Sequence, residues 1–421
     1  MTELTQGLTW VPSPLIRRLA TAAVLALGAA ALVHRPTLVV FATPFLVALA
    51  IWVREPRAAM AEVAVDLPTA RTTERAGVPL EVAAGAGAGI GSWRLVLRPG
   101  RFVESDGAVL VALGERAAGG WQVTPTRWGW WSAGSVVAVA RSERRAWTAE
   151  TSTPAPELTV YPPATSAARV PAPPHLRSRL GPHVSRVPGA GVEFAGIREY
   201  HPGDPTRRVN WLASSRGGSL VINEFAQERM ADVVLLIDGV HDLGEPGETT
   251  VDRSVRGASS VAQAYLMSAD RVGVVAFGSS LRWLAPTTGT RHFYRIVETL
   301  LQARQARTYV HPNIDRLPLV ALPSGALVVC FSPLVDDLVV QALQALRERA
   351  HPVVVVDMLA EPGITVRSAD DELALRIWRL TRAATQSSLA SIGVRVVPYA
   401  EISGGTLGWL RLGGERTPVG R

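Results

Sequence analysis

Four runs in the second half of the chain are apolar almost without a break: DVVLLIDG (Asp232–Gly239), RVGVVAFG (Arg271–Gly278), ALVVCFS (Ala326–Ser332) and PVVVVDML (Pro352–Leu359). A strand of this composition has no face to offer water, so both faces must be covered by other elements. Helical stretches lie between and after the runs, at about Val251–Ser268, Arg291–Arg304, Leu334–Ala350 and Glu372–Ile392, and VRVVPYA (Val394–Ala400) reads as a last strand. In the second of these helices Phe293, Ile296, Val297, Leu300 and Leu301 fall on one side. Strands alternating with helices predict a doubly wound α/β domain over residues 231–421. Ligands of such sheets bind outside the carboxyl ends of the strands, near the point where the strand order reverses. Three acidic loci belong at that rim: Asp238 with His241 and Asp242, the pair Asp336 and Asp337, and Asp357.

Residues 58–160 have a different texture. Short alternating runs such as AEVAVDL (Ala61–Leu67), WRLVLRP (Trp93–Pro99), AVLVAL (Ala108–Leu113), WQVTPTRW (Trp121–Trp128) and SVVAVARS (Ser135–Ser142) are separated by glycine-rich breaks. Period-two alternation at this spacing predicts an antiparallel β-sandwich. The cluster Trp128–Trp131 is expected to pack in the core and along an edge, with a partner-binding face as the alternative.

Residues 1–57 hold two uncharged apolar stretches, Leu19–Val33 and Thr37–Val53, separated by His34-Arg35-Pro36. Each is near the lower length limit for a bilayer-spanning helix, and neither has a polar face. The pair predicts a membrane helical hairpin. A cleaved signal peptide would be followed by polar chain, not by a second apolar run. Arg17 and Arg18 precede the first stretch, Arg54 and Arg57 follow the second, and the turn carries Arg35 alone. Positive charge at both outer ends predicts a multi-pass protein of the inner (plasma) membrane with its soluble domains in the cytoplasm. All 43 basic residues are arginine, and the net charge of +7 is modest for 421 residues. No basic block with interleaved aromatics points to nucleic acid. Cys330 is the only cysteine, so no disulfide can form within the chain, and its place in an apolar run predicts a buried strand residue.

Residues 161–230 join the two globular parts. A stretch rich in Pro, Ala and Ser, from Thr151 to about Pro188, predicts a stiff, extended linker. Beyond it lies REYHPGDPTRRVNW (Arg198–Trp211), too polar for a core element and too aromatic for a plain linker. Asp204-Pro205 predicts a helix start, with Asp204 as the cap, Pro205 in the first turn and Gly203 easing the entry. LVINEFAQER (Leu220–Arg229) looks like a strand running into the sheet domain. Arg198, Arg207 and Arg216 are expected to pair with Glu193, Glu199, Asp204, Glu224 or Glu228, latching the segment in one shape, with Tyr200 and Trp211 buried.

The order and spacing of Gly191, Phe194, Arg198, Glu199, Tyr200, Gly203, Asp204, Arg207, Asn210, Trp211, Arg216 and Glu224 resemble the signature of the domain of unknown function 58 family. Arg127-Trp128-Gly129 and Tyr161-Pro162 fit the same layout. The resemblance implies a bacterial membrane protein with a von Willebrand factor A-like C-terminal domain. It also implies an association with MoxR-type AAA+ ATPases, sometimes beside transglutaminase-like membrane proteins, and no established enzymatic activity.

Von Willebrand A domains often hold Mg²⁺ through an Asp-x-Ser-x-Ser run, whose hard oxygen ligands suit that ion. The equivalent residues here are Asp238-Gly239-Val240-His241-Asp242, in which Val240 has no ligating atom. Asp238, Asp242 and Asp336 are the candidate metal ligands, with Thr287 or Thr288 as a later hydroxyl. Asp238 could instead simply cap its strand end. The sequence contains no HExxH, nucleophile elbow, P-loop or paired Cys/His set. The expected function is therefore a non-enzymatic adaptor at the bilayer, with no required cofactor and a MoxR-type ATPase as partner. The alternative is a metal-dependent hydrolase using the acidic rim around Asp238.

Overall fold

The computed structural model describes residues 2–163, 183–189, 193–229, 231–277, 281–302, 317–359 and 367–399. It divides into two compact units, Met1–Tyr161 and Pro162–Arg421.

In the first unit two five-stranded sheets enclose one core. The first sheet runs, in spatial order, Thr2–Gly7, Met60–Asp66, Val78–Ala86, Arg116–Pro125, Val103–Ser105. The second runs Trp10–Pro12, Trp147–Pro154, Gly134–Ser142, Ile90–Pro99, Val109–Leu113. Alternation does the sorting: Val63, Val65, Leu80 and Val82 from one sheet meet Trp93, Leu95, Leu97, Val136 and Ala138 from the other. A small third sheet joins Gly129–Ser132, Glu157–Tyr161 and Arg71–Thr73. Thr151–Tyr161 is therefore sandwich strand and not the start of a linker, because its alternating residues Thr151, Thr153, Leu158 and Val160 are buried. Trp128 is fully buried, while Trp130 lies at the surface.

The sequence gives no hint that the N-terminal tail supplies an edge strand to each sheet. Thr2–Gly7 pairs antiparallel with Met60–Asp66, and Trp10–Pro12 with Trp147–Ala149. Between these strands the chain leaves as helix α1 (Pro14–Leu32) and returns through a 3₁₀ turn (Pro36–Phe41) and helix α2 (Thr43–Val53). The 19-residue α1 is long and apolar enough to cross a membrane; α2, with 11 residues, is shorter. Val24, Leu25 and Leu32 of α1 are exposed, and its buried positions are Ile16, Ala23 and Ala30. Small residues seven apart make a seam along which a second helical arm can pack closely. The foot of this excursion is bolted to the sandwich. Buried Glu55 accepts from Ser142 Oγ (2.9 Å) and the Arg144 N–H (2.6 Å), and Trp147 Nε1 donates to the Trp52 carbonyl (2.8 Å).

The second unit begins with a three-stranded antiparallel sheet in which Val221–Arg229 lies between His183–Gly189 and Glu193–Glu199. Val221–Arg229 is thus the centre of its own small sheet. The short helix α3 (Trp211–Gly217) closes this part. A six-stranded sheet follows, in the order Arg282–Thr287, Arg271–Phe277, Asp232–Asp238, Leu327–Ser332, Val353–Asp357, Arg395–Pro398. All neighbours are parallel except the Arg282–Thr287 edge, a strand that sequence analysis did not single out and that carries Pro286. Helices α4 (Thr250–Met267) and α5 (Thr290–Gln302) pack together on one face. Helices α6 (Asp337–Glu348) and α7 (Ala369–Ser391) belong to the other, as right-handed crossovers on the two sides of the order reversal require. Val234, Leu236, Val328 and Cys330 meet Leu343, Leu346 and Leu389 there. On α5 the buried stripe is His292, Ile296, Val297, Leu300 and Leu301; His292 replaces the expected Phe293 because its Nε2 engages the Val272 carbonyl at 2.7 Å.

Candidate functional site: a guanidinium latch and a carboxylate rim

The signature segment is organised around Arg198. Pairing places Arg198 opposite Ile222 and Gly196 opposite Glu224, so Arg198 and Glu224 emerge on the same side of the small sheet. The guanidinium donates from Nη1 and Nη2 to the two carboxylate oxygens of Asp204, both at 2.7 Å, and from Nε to Glu224 Oε1 at 2.8 Å. The His201 N–H adds a bond to Asp204 Oδ2 at 2.9 Å. Hydrogen bonding from Arg198, then from the His201 amide, lowers the Asp204 pKa to about 2. The forked geometry fixes the loop's shape more than it adds stability, since these groups remain in contact with solvent.

Asp204 is consequently not a helix cap. Only a three-residue 3₁₀ turn, Thr206–Arg208, follows Pro205, and it has no side-chain cap. The helix start lies further on, where Asn210 Oδ1 accepts from the Ala213 N–H (3.0 Å) while its Nδ2 donates to Asn223 Oδ1 (2.8 Å). The cap passes to Asn210 because Asp204 is already spent on Arg198. Gly203 has φ +107°, a conformation that suits glycine. Trp211 is 68% exposed, against the expected burial; Asn210 caps α3 so that Trp211 opens the helix on its outer side. Arg207 and Arg216 are exposed and form no ion pair among the described residues. Glu199 contributes its backbone carbonyl to Arg198 Nη1 (2.9 Å). Phe194 is exposed and Tyr200 half-buried, while Gly191, the side chains of Glu193 and Glu228, and residues 164–182 of the expected linker lie outside what is described.

The second place is the carboxyl rim of the six-stranded sheet, where the order reverses between Asp232–Asp238 and Leu327–Ser332. Asp238 is fully buried. Its Oδ2 accepts from Ser332 Oγ at 2.6 Å and its Oδ1 from the Val240 N–H at 3.1 Å. Burial pushes its carboxyl pKa up, and the Ser332 hydrogen bond partly opposes this. Ser332 also accepts from the Leu334 N–H (2.9 Å), where the chain turns through φ +53°. His241 Nε2 stands 3.8 Å from Asp336 Oδ2, and Asp336 Oδ1 caps α6 through the Leu338 N–H (2.9 Å). Asp242 Oδ1 accepts from the Val251 N–H at 3.3 Å, at the start of α4. Asp357 is held by Arg382 and by Gln386 Nε2 (2.9 Å), both from α7.

Asp238, Asp242 and Asp336 are each turned toward a hydroxyl or backbone N–H, and no group of three or more His, Cys, Asp or Glu able to hold a metal forms among the described residues. Thr287 pairs with Val272, at the opposite end of its neighbour from Phe277, whereas Asp238 pairs with Phe277. Five residues of strand place Thr287 roughly 17 Å away from the rim. Ser332 is the rim residue that sequence reasoning missed; its signal was a hydroxyl ending an otherwise apolar strand.

A three-stranded sheet latched by an arginine fork, leading into an α/β sheet with a buried acid at its switch point, defines the class of the second unit. The chain carries there a domain matching the family described as protein of unknown function DUF58, over residues 196–363. Uncharacterized proteins of Mycobacterium bovis and Mycobacterium tuberculosis are each 26% identical to it over 137 residues, 32% of this chain. The match spans 43% of the length of each of these relatives.

Proposed function

We propose that the chain is a non-enzymatic adaptor of the inner membrane, anchored by a helical hairpin and facing the cytoplasm, whose α/β domain is von Willebrand A-like and docks a MoxR-type AAA+ ATPase. The reading rests above all on how the polar groups are used. Arg198, Asp204 and Glu224 hold one another, and Asp238, Asp242 and Asp336 brace loops and helix starts. Side chains arranged to hold shape serve a recognition surface better than a reaction. The doubly wound strand order with one antiparallel edge is compatible with the von Willebrand A resemblance.

The N-terminal strand supports the hairpin. Thr2–Gly7 lies before α1 and Met60–Asp66 after α2, yet the two pair along their length. If α1 crosses a bilayer, the chain must cross back before Met60. The 3₁₀ turn and α2 together cover about 30 Å when collinear, matching α1. Arginines at both outer ends favour the cytoplasm for the sandwich.

Affinity capture from native membranes through a tag at Arg421, with and without ATP, tests the partner. A MoxR-type ATPase is expected in a nucleotide-dependent manner, and Arg198→Ala should lose it while the protein still accumulates. Capture without any AAA+ protein in either state, turnover of a substrate by the purified chain, or a tag reached by protease from outside intact cells would each refute the reading.

A further inference from the structure

The small sheet has two unlike sides. On one, Arg198 pairs with both Asp204 and Glu224. The other carries α3, tied down by Asn210 Nδ2 to Asn223 Oδ1 (2.8 Å) and by the Val221 N–H to Ser214 Oγ (3.0 Å). Ile197 is the register partner of Asn223 and shares that side. Three large apolar residues stand open there: Ile197 (49% exposed), Trp211 (68%) and Leu212 (65%). Exposed Arg207 precedes this apolar group and exposed Arg216 ends it, against exposed Glu199. An open Trp-Leu pair bordered by arginines with no carboxylate partner among the described residues is a surface built to be covered.

We infer that this face seats on an anionic lipid surface, with Trp211 and Leu212 at headgroup depth and Arg207 and Arg216 on the phosphates. The residue types suit that occupant: the indole favours the headgroup zone, and guanidinium groups bond phosphate oxygens by paired N–H donors. The two exposed arginines that flank Trp211 and Leu212 along the chain, against the single exposed Glu199, supply the charge complementarity. The inference rests on the membrane-anchor reading, since a chain held by α1 meets lipid at a high effective concentration and needs only weak contacts to settle on it. Each arginine near an anionic surface contributes about fivefold to the seated population.

The full-length chain with Ser215→Cys offers a label site on α3, because Cys330, the only native cysteine, is buried. An environment-sensitive fluorophore there is read in nanodiscs of phosphatidylcholine alone and of phosphatidylcholine with phosphatidylglycerol. Blue-shifted emission and protection from iodide are expected only in the anionic discs, weakened by salt, and reduced by roughly 25-fold in seated population when Arg207→Ala and Arg216→Ala are combined. Trp211→Ser should abolish the shift while leaving incorporation unchanged. Equal emission from both kinds of disc, in a chain that co-elutes with them, overturns the lipid seat and leaves the anchor standing. A shift that appears only when a membrane-protein fraction is added assigns the face to a protein and overturns the proposal. Failure to enter discs at all removes the anchor reading, and the proposal with it.

Discussion

Replacing Ser332 by alanine isolates the chemistry of the rim. The hydroxyl donates to Asp238 Oδ2 at 2.6 Å and accepts from the Leu334 N–H at 2.9 Å, all in a fully buried position. Alanine leaves the Asp238 carboxyl with the Val240 N–H alone and orphans the Leu334 amide. The loss is about 1–3 kcal/mol for the charged acceptor and somewhat less for the neutral amide. The pH dependence follows from the sign of the Asp238 shift. Its folded pKa lies above the unfolded value, so the native state binds more protons and stability falls as pH rises from about 4 to the folded pKa. The Ser332 bond lowers that pKa, so the variant extends the falling window upward and loses more at pH 8 than at pH 5. A chain of two compact units does not melt as one, so a local probe is needed. Cys330, two residues away and buried, provides it: thiol labelling in detergent, normalised to the unfolded chain at each pH, reads the opening of this sheet. Ser332→Ala should label about tenfold faster or more at pH 8, with a smaller increase at pH 5. Equal acceleration at both values would refute the account of Asp238.

The remaining predictions use the same probe or amide exchange. A Cβ at Gly257 would lie 2.9 Å from Phe331 Cε1, so Gly257→Ala should cost about 1–3 kcal/mol, seen as faster Cys330 labelling. Asn210→Ala removes the α3 cap and the Asn223 bond; amides of Trp211–Gly217 should exchange faster by an amount matching about 1 kcal/mol, while the six-stranded sheet is unaffected. The Asp204 carboxyl is depressed, so its contribution is present above an unfolded pKa near 3.9 and lost as pH falls through about 2. Exchange protection of the His201 amide should therefore be the same at pH 6 and pH 4, and vanish at both in Arg198→Ala. Glu55→Ala leaves Ser142 and the Arg144 amide without their acceptor and should weaken the attachment at the C-terminal end of α2 by about 1–3 kcal/mol, measured as faster trypsin cleavage at Arg54 and Arg57.

Burial pattern was the part of the fold most open to reading from residues. Val/Ile/Leu runs such as Val353–Asp357 can only be covered strands, and the alternation of Val63, Val65, Leu80 and Val82 can only be a one-sided sheet. Polar geometry was less open. Asp204-Pro205 has the residue types of a helix start, but which carboxylate an arginine takes depends on strand register, and register brings Arg198 beside Glu224, 26 residues away. Asp238 announced itself by ending an apolar strand; Ser332 ends another, but nothing local to either residue pairs them across 94 positions. The tail strand Thr2–Gly7 was invisible for a related reason: an edge strand owes its existence to the partner Met60–Asp66, not to its own composition.

That tail joins the two ends of the apolar excursion into one argument. Strand pairing at Thr2–Gly7 and the bonds from Glu55 and Trp147 hold the points where the chain departs and returns against the same sandwich. An apolar helix mounted this way cannot be a freely swinging leash, because its foot inherits the rigidity of a β core. Any displacement of the sandwich is therefore delivered to α1 and α2, and any displacement of those helices is delivered back to the sandwich.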